Sequence, residues 1–356
     1  MSEKQENSEL QGSDLLQELT STDTCTDGYD AICEALKKVY GEQEGQYHRA
    51  LIPYCLGGDS PLDGVEVYLC KQERAHWHYI TYGFSDLFEN ETPDSELSGY
   101  GFELTFRLLK GEEDSAPDWP INFLQNLARY VFESGNPFDA GHHMDANSPI
   151  ALEEDTELTA MGFGLDPVLG QIDTPNGKVK FLQVNALTHD EMMAMMCAQG
   201  DKFIEQTHKY LPLGICELSR ASLMENADFV EAWERSVELE GSSTGFLYLD
   251  SMSLKQENGG ITISLPYSYI QLIGTMIGAR LLKDRHLLLV SPDCVIDLLL
   301  GDYSLNKEED DYYKLELAKA EYESIFEQIG QYLKAGASSP TSFKAPNSPV
   351  VIELIA

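Results

Sequence analysis

The chain has 356 residues, 42% hydrophobic and 10% aromatic. That is enough for two ordinary domains with their own cores, and it excludes a disordered chain. Sixty acidic residues against 24 basic give a formal net charge of −36, which speaks against nucleic acid or anionic membrane as direct partners.

The same field either serves solubility or steers a basic partner to a fast encounter. Residues 1–27 are polar and acidic and read as a flexible tail, with a helix expected around Leu15–Leu19. They lack a basic run followed by an apolar one, so no signal peptide is expected. No stretch approaches the roughly 18 apolar residues of a membrane span. Cys25, Cys33, Cys55, Cys70, Cys197, Cys216 and Cys294 are odd in number and form no CxxC. They are expected to be buried free thiols of a cytoplasmic protein.

Tyr29–Tyr40 predicts a helix, with Ile32, Leu36 and Val39 on one stripe and Gly41 as its stop. Tyr47–Leu56 begins a sheet, and Gly57-Gly58 and Pro61–Gly64 are turns. Three β-prone runs follow: Val65–Cys70, His76–Tyr82 and Gly101–Leu108. Neither face of His76–Tyr82 is plainly polar, so this strand should be covered on both sides. In the third run Phe102, Leu104 and Phe106 form one face. Glu103, Thr105 and Arg107 form the other, which predicts a charged face left for solvent or a partner.

Residues 123–132 read as an amphipathic helix after Pro120, and Gly141–Pro149 as a loop. Leu158–Gly164 and Gln171–Ile172 read as extended, and Pro175-Asn176-Gly177 turns into a strand over Lys178–Asn185. Thr188 and Glu191 form a capping box for a Met-rich helix over Asp190–Gln199. A further helix is expected over Asp201–Tyr210, and one capped by Asn226 runs to Leu239. Gly241–Gly245 reads as the linker. Beyond it, strands are expected at Phe246–Leu254, Gly260–Pro266, Met276–Leu282 and His286–Val290. Helices are expected at Asp293–Leu300 and Glu308–Leu333, with a final edge strand at Val350–Ile355. The expected class is α+β in two domains, each a mixed or antiparallel sheet packed with helices. The tail covers 1–27, the N-terminal domain 28–220, a helix and linker 221–245, and a smaller C-terminal domain 246–356.

Chemistry is sparse. His76 and His78 point to one side of a strand, near Asp86 or Glu103 as a third donor, but two ligands fall short of the three a catalytic zinc needs. Packing and hydrogen bonding around Trp77 and Tyr79 is the expected role, and no metal or cofactor is expected. His142-His143-x-Asp145 reads as a polar loop, and Met192, Met193, Met195 and Met196 as core packing rather than an adaptable surface. Gly241–Gly245 has a helix before it and a strand after it, so it is no strand-to-helix nucleophile elbow, and there is no GxGxxG or GxxxxGK[ST] motif, so an enzyme is not expected. A metal-assisted enzyme on the His76–His78 strand is the lesser alternative.

The segments HWHYITYGFSDLF, SGYGFELTFRL, SAPDWPINFLQNLARYVFESGNPF and TPNGKVKFLQVNALTHDEM resemble the suppressor-of-fused (SUFU) family in order and spacing over Tyr47–Glu191. Ser253–Leu289 resembles the family's C-terminal domain. The resemblance implies a non-enzymatic protein-binding module. Eukaryotic members clamp a transcription-factor peptide between two domains, partly by β-augmentation. Bacterial members resemble immunity proteins that neutralise polymorphic toxins. This chain lacks the long C-terminal-domain insertion and the nuclear-import basic run of eukaryotic members, which favours the immunity role over a signalling adaptor. Carried over by position, the expected partner contacts are Tyr79, Asp86 and Glu103 as polar anchors, supported by Trp77 and Phe106, and the expected partner is basic.

Overall fold

The structure is a computed structural model that describes residues 26–49, 58, 60–88, 96–257, 259–336 and 342–355. Contacts divide the chain into Met1–Pro137 with Leu165–Gln183, and Phe138–Gly164 with Val184–Ala356. The expected helix and linker over 221–245 fall inside the second unit. The expected tail and Leu15–Leu19 helix lie outside the described residues, as do residues 50–56 of the expected first strand.

In chain order the first half runs α1 (Asp27–Tyr40), β1 (Gln46–Arg49), β2 (Gly64–Cys70), β3 (His76–Tyr82), β4 (Leu97–Leu109), α2 (Trp119–Ser134), β5 (His143–Asp145), β6 (Leu158–Leu165), β7 (Gln171–Thr174) and β8 (Gly177–Thr188). The rest runs α3 (His189–Met196), α4 (Gly200–Thr207), α5 (Ala227–Glu240), β9 (Phe246–Tyr248), β10 (Ser253–Glu257), β11 (Gly260–Pro266), α6 (Ile270–Ala279), β12 (Leu287–Val290), β13 (Val295–Leu300), β14 (Ser304–Glu309), β15 (Tyr312–Leu317), α7 (Lys319–Lys334), β16 (Ser342–Phe343) and β17 (Val350–Ile355).

In the first unit the strands lie in the order β1-β2-β3-β4-β8, with β7 on β8. Helix α1 places Ile32 and Leu36 against Tyr68, Ile80, Tyr82 and Phe181 on one face. Its acidic first turn and basic last turn complement the helix dipole. Helix α2 starts with Pro120 in its first turn and stops at Gly135, φ 71°. It brings Trp119 and Phe123 edge-on to Phe106 on the opposite face. All seven residues of β3 are buried, as its two apolar faces predict. The charged face expected on β4 is corrected: Glu103, Thr105 and Arg107 are buried too. The strand is interior to the sheet, and α1 covers the side that alternation alone assigned to water.

In the second unit, residues 184–188 of β8 lie beside β6, and β5 closes that edge. Two further sheets follow, in the orders β10-β11-β17-β16 and β14-β15-β13-β12-β9. Their shared core includes Leu247, Ile263, Met276, Leu289, Ile296 and Ile329.

Four expectations fail here. Met276–Leu282 falls in α6 and the turn after it. That helix is apolar on nearly every side, so its period is hidden. Residues 295–300 are β13, not helix, because they pair with β12 and β15. The long helix expected from Glu308 is β15 followed by α7, since Tyr312–Leu317 joins the sheet. Strand β17 is interior, parallel to β11 and antiparallel to β16. The four methionines pack against the cores of this unit, as expected.

Asn226 caps α5, its Oδ1 accepting from the Asp228 and Phe229 N–H groups at 3.0 and 3.1 Å. Asn226→Ala is expected to lower the stability by about 1 kcal/mol, read as a shift in the urea midpoint at constant slope. The capping box at α3 is also present, with Thr188 N–H donating to Glu191 at 3.0 Å.

Candidate functional site

Sheet edges in the second unit differ sharply in how they meet solvent. Strand β14 reads SLNKEE and β10 reads SLKQE, and charges on an edge discourage pairing with another chain. Strand β9 reads FLY and carries no charge. It lies at the end of its sheet, parallel to β12, with Leu247 opposite Leu289. The Leu288 N–H donates to the Gly245 carbonyl at 3.0 Å, and the Leu249 N–H to the Val290 carbonyl at 2.8 Å. In a parallel ladder that alternation turns residues 245, 247 and 249 inward and directs the N–H and C=O of Phe246 and Tyr248 outward. Leu247 is fully buried, whereas Phe246 and Tyr248 are 56% and 57% exposed. The edge therefore offers free backbone groups between two aromatic side chains.

A second edge is β5, antiparallel to β6 with Met144 opposite Met161. Phe163 N–H donates to the His142 carbonyl at 2.8 Å and Ala146 N–H to the Thr159 carbonyl at 2.9 Å. That register leaves the backbone groups of His143 and Asp145 pointing away from β6. The loop expected over these residues is thus corrected to a strand, because β6 supplies a pairing partner that sequence proximity does not reveal. The Asp145 carboxylate lies 3.5 Å from His189 Nδ1. Burial and the neighbouring His142 pull the His143 pKa down to about 4, so the ring is neutral at pH 7.

The residues expected to meet a partner lie in the first unit and serve its fold. Tyr79, Glu103 and Phe106 are fully buried and Trp77 nearly so, because the sheet that carries them is covered on both faces. Trp77 Nε1 donates to Glu113 at 2.7 Å, and the Tyr79 hydroxyl to the Pro117 carbonyl at 2.9 Å. Glu103 accepts from Gly83 N–H, Ser85 N–H and Oγ, and Thr81 Oγ1, at 2.6–3.0 Å. Burial raises its pKa and those donors oppose the rise. Asp86 is half-buried and accepts from Gly99 N–H at 3.0 Å.

His78 is part of a buried polar cluster. Cross-strand register aligns Tyr68, His78 and Arg107. Arg107 meets both carboxylate oxygens of Asp166, at 2.5 and 3.1 Å, and Gln183 at 2.5 Å. Asp166 also accepts from Thr105 Oγ1 and from the Val168 and Leu169 N–H groups, each at 2.8 Å. The Tyr40 hydroxyl lies 2.5 Å from His78 Nδ1, and His78 Nε2 is 3.4 Å from Asp166. His76 Nδ1 pairs with the Arg74 carbonyl at 2.7 Å. Among the described residues, no three His, Cys, Asp or Glu side chains are grouped to hold a metal ion. Burial pushes the Cys197 and Cys216 thiols up to about 12, which keeps them protonated and poorly nucleophilic.

Phe246 and Tyr248 were not legible as contacts. The only signal was an uncharged three-residue aromatic strand after a Gly/Ser/Thr run, inside a span read as one longer strand.

This arrangement of mixed sheets and helices is a known fold. The crystal structure of Drosophila Suppressor of Fused superposes with a TM-score of 0.74 at 20% identity, covering 93% of this chain and 97% of that one. The structure described as the Sufu-Fu complex matches with a TM-score of 0.55 at 29% identity, over 58% of this chain and 97% of that one. Residues 58–221 match the family model for the suppressor of fused protein (SUFU). The sequence likeness to the suppressor-of-fused family thus lies in residues 58–221, and the likeness of fold extends over most of the chain. The human and mouse suppressor of fused homologs are each 36% identical over 190 residues, which is 50% of this chain and 39% of the relative. The chain thus spans about 39% of the length of the curated relatives it matches.

Proposed function

We propose that this chain is a non-enzymatic module that sequesters a partner polypeptide, with the partner adding a strand along β9. The observation that carries this reading is the uncharged, half-exposed aromatic edge of β9 on a chain of net charge −36. Backbone groups at such an edge give affinity, flanking side chains give specificity, and the field selects a basic partner. The finer reading is a cytoplasmic immunity protein that neutralises a bacterial toxin, supported by the missing insertion noted above. A regulatory adaptor is the second reading, favoured by the 29% identity to the structure described as the Sufu-Fu complex.

The test is co-expression with each toxin-sized basic protein found encoded beside its gene, scored as growth. Rescue by the parent chain is expected. Phe246→Pro should weaken binding about tenfold or more, because it removes an outward N–H and leaves the inward ladder of β9 intact. Absence of rescue together with stoichiometric binding to a regulatory protein would favour the adaptor. A Phe246→Pro protein that binds as tightly as its parent would sink the edge.

A further inference from the structure

A cleft of about 430 Å³ opens in the second unit between α5, α6 and α7. Trp233 and Val237 of α5, Leu282 after α6 and Phe326 of α7 give it apolar walls. Its floor is kept low by Gly278, where an added Cβ would stand 2.9 Å from the Phe326 ring. Phe326 is 39% exposed. Glu234 and Glu238 line the cleft and face solvent on the same helix. Lys283, the only cation among the lining residues, donates its Nζ to the Glu238 backbone carbonyl rather than to a carboxylate. Among the described residues, no cation pairs with Glu234 or Glu238.

We infer that this cleft docks an amphipathic helix of a partner, with leucine-like residues on one face and lysine or arginine beside them. The charge of the rim sets the sign of the partner. The helical form follows from what surrounds the cleft. Helices line it, so it presents no strand edge, and an extended segment would enter with its own backbone groups unpaired. A helix satisfies its own backbone and delivers side chains at i, i+3, i+4 and i+7. The inference deepens the reading of the chain as a protein-binding module and adds a contact independent of β9.

The probe is a labelled peptide of about 15 residues, long enough to form a marginal helix, with leucines at that spacing and lysines elsewhere. Binding is read by anisotropy and by the emission of Trp233, whose Nε1 donates to the Ala194 carbonyl at 2.9 Å beside the cleft. Saturable binding with a blue shift is expected, absent in Trp233→Phe. A scrambled peptide of equal charge, and one with glutamates in place of the lysines, should each bind about tenfold weaker or less. Glu234→Lys with Glu238→Lys should weaken the lysine peptide about tenfold, an effect that shrinks at high salt. Thr275→Phe, which fills the half-buried space over α6, should abolish binding. Phe246→Pro should leave it unchanged, so failure at β9 and failure at the cleft are distinguishable. Equal affinity for the scrambled peptide would overturn the inference, as would no binding at all. A shift with dodecyltrimethylammonium but not with the peptide would also overturn it, since it would assign the cleft to a small cationic amphiphile.

Discussion

Arg107→Met is expected to lower the stability of the chain by about 3–5 kcal/mol, the range for removing one partner of a buried ion pair. Arg107 is 1% exposed, and its guanidinium holds both oxygens of Asp166 and the Gln183 amide. Without it the Asp166 carboxylate stays buried with one hydroxyl, two backbone donors and a neutral histidine, and an uncompensated charge in a dry site is the dominant penalty. Methionine matches the stem of arginine, so the loss is chiefly electrostatic and not a cavity. Arg107→Lys keeps the charge but not the fork that spans Asp166 and Gln183, and should fall between the two. Urea unfolding at pH 7 measures both. A loss under about 1 kcal/mol for Arg107→Met would mean that the cluster does not hold the sheet together.

The second expectation concerns acid. Burial and the neighbouring Arg107 lower the His78 pKa from its ordinary 6.5 to about 4. In the folded state the ring stays neutral down to that value, while in the unfolded state it takes a proton near 6.5. The unfolded chain therefore binds more protons between the two values, and stability falls as pH falls through this window. The shift corresponds to about 3 kcal/mol, fully present above pH 6.5 and lost by pH 4.

His143, held down to about 4 by burial, acts in the same direction. Glu103, whose pKa is raised by burial, acts in the opposite direction, because protonation relieves its desolvation. Asp166, held well below the usual carboxylate range, adds its own loss only at still lower pH. His78→Gln removes one titration from this balance. The stability difference between parent and variant should narrow steadily as pH is lowered from 6.5 to 4. Parallel curves across that window would show that His78 is not what titrates.

Much of the architecture was written in local pattern. The stripe of α1, the proline and glycine that bracket α2, the Thr188–Glu191 box and the Asn226 cap are interactions within a few residues of one another, so they can be read without the fold. Two of the failures share a cause. Residues 276–282 and 295–300 are apolar on more than one side, and such a segment shows neither the helical nor the strand period clearly. In β4 alternation was read correctly but the wrong face was given to water, because polarity alone does not say whether Arg107 meets solvent or Asp166. Those two are 59 positions apart, and nothing near either marks the pairing.

The candidate site was less legible still. The aromatic blocks that carry the family resemblance are the ones that build the first unit's core, so they point to ancestry more strongly than to contact. What the amino-acid order determined by itself is the family resemblance, the α+β class and the strong negative charge, since each depends on which residues are present and on short-range periodicity. Which strands end up at an edge, and hence that Phe246 and Tyr248 are offered to solvent while Tyr79 and Glu103 are sealed away, was decided only by the tertiary structure. Exposure of a strand depends on whether a distant segment pairs with it, and that pairing leaves no mark on the strand's own residues.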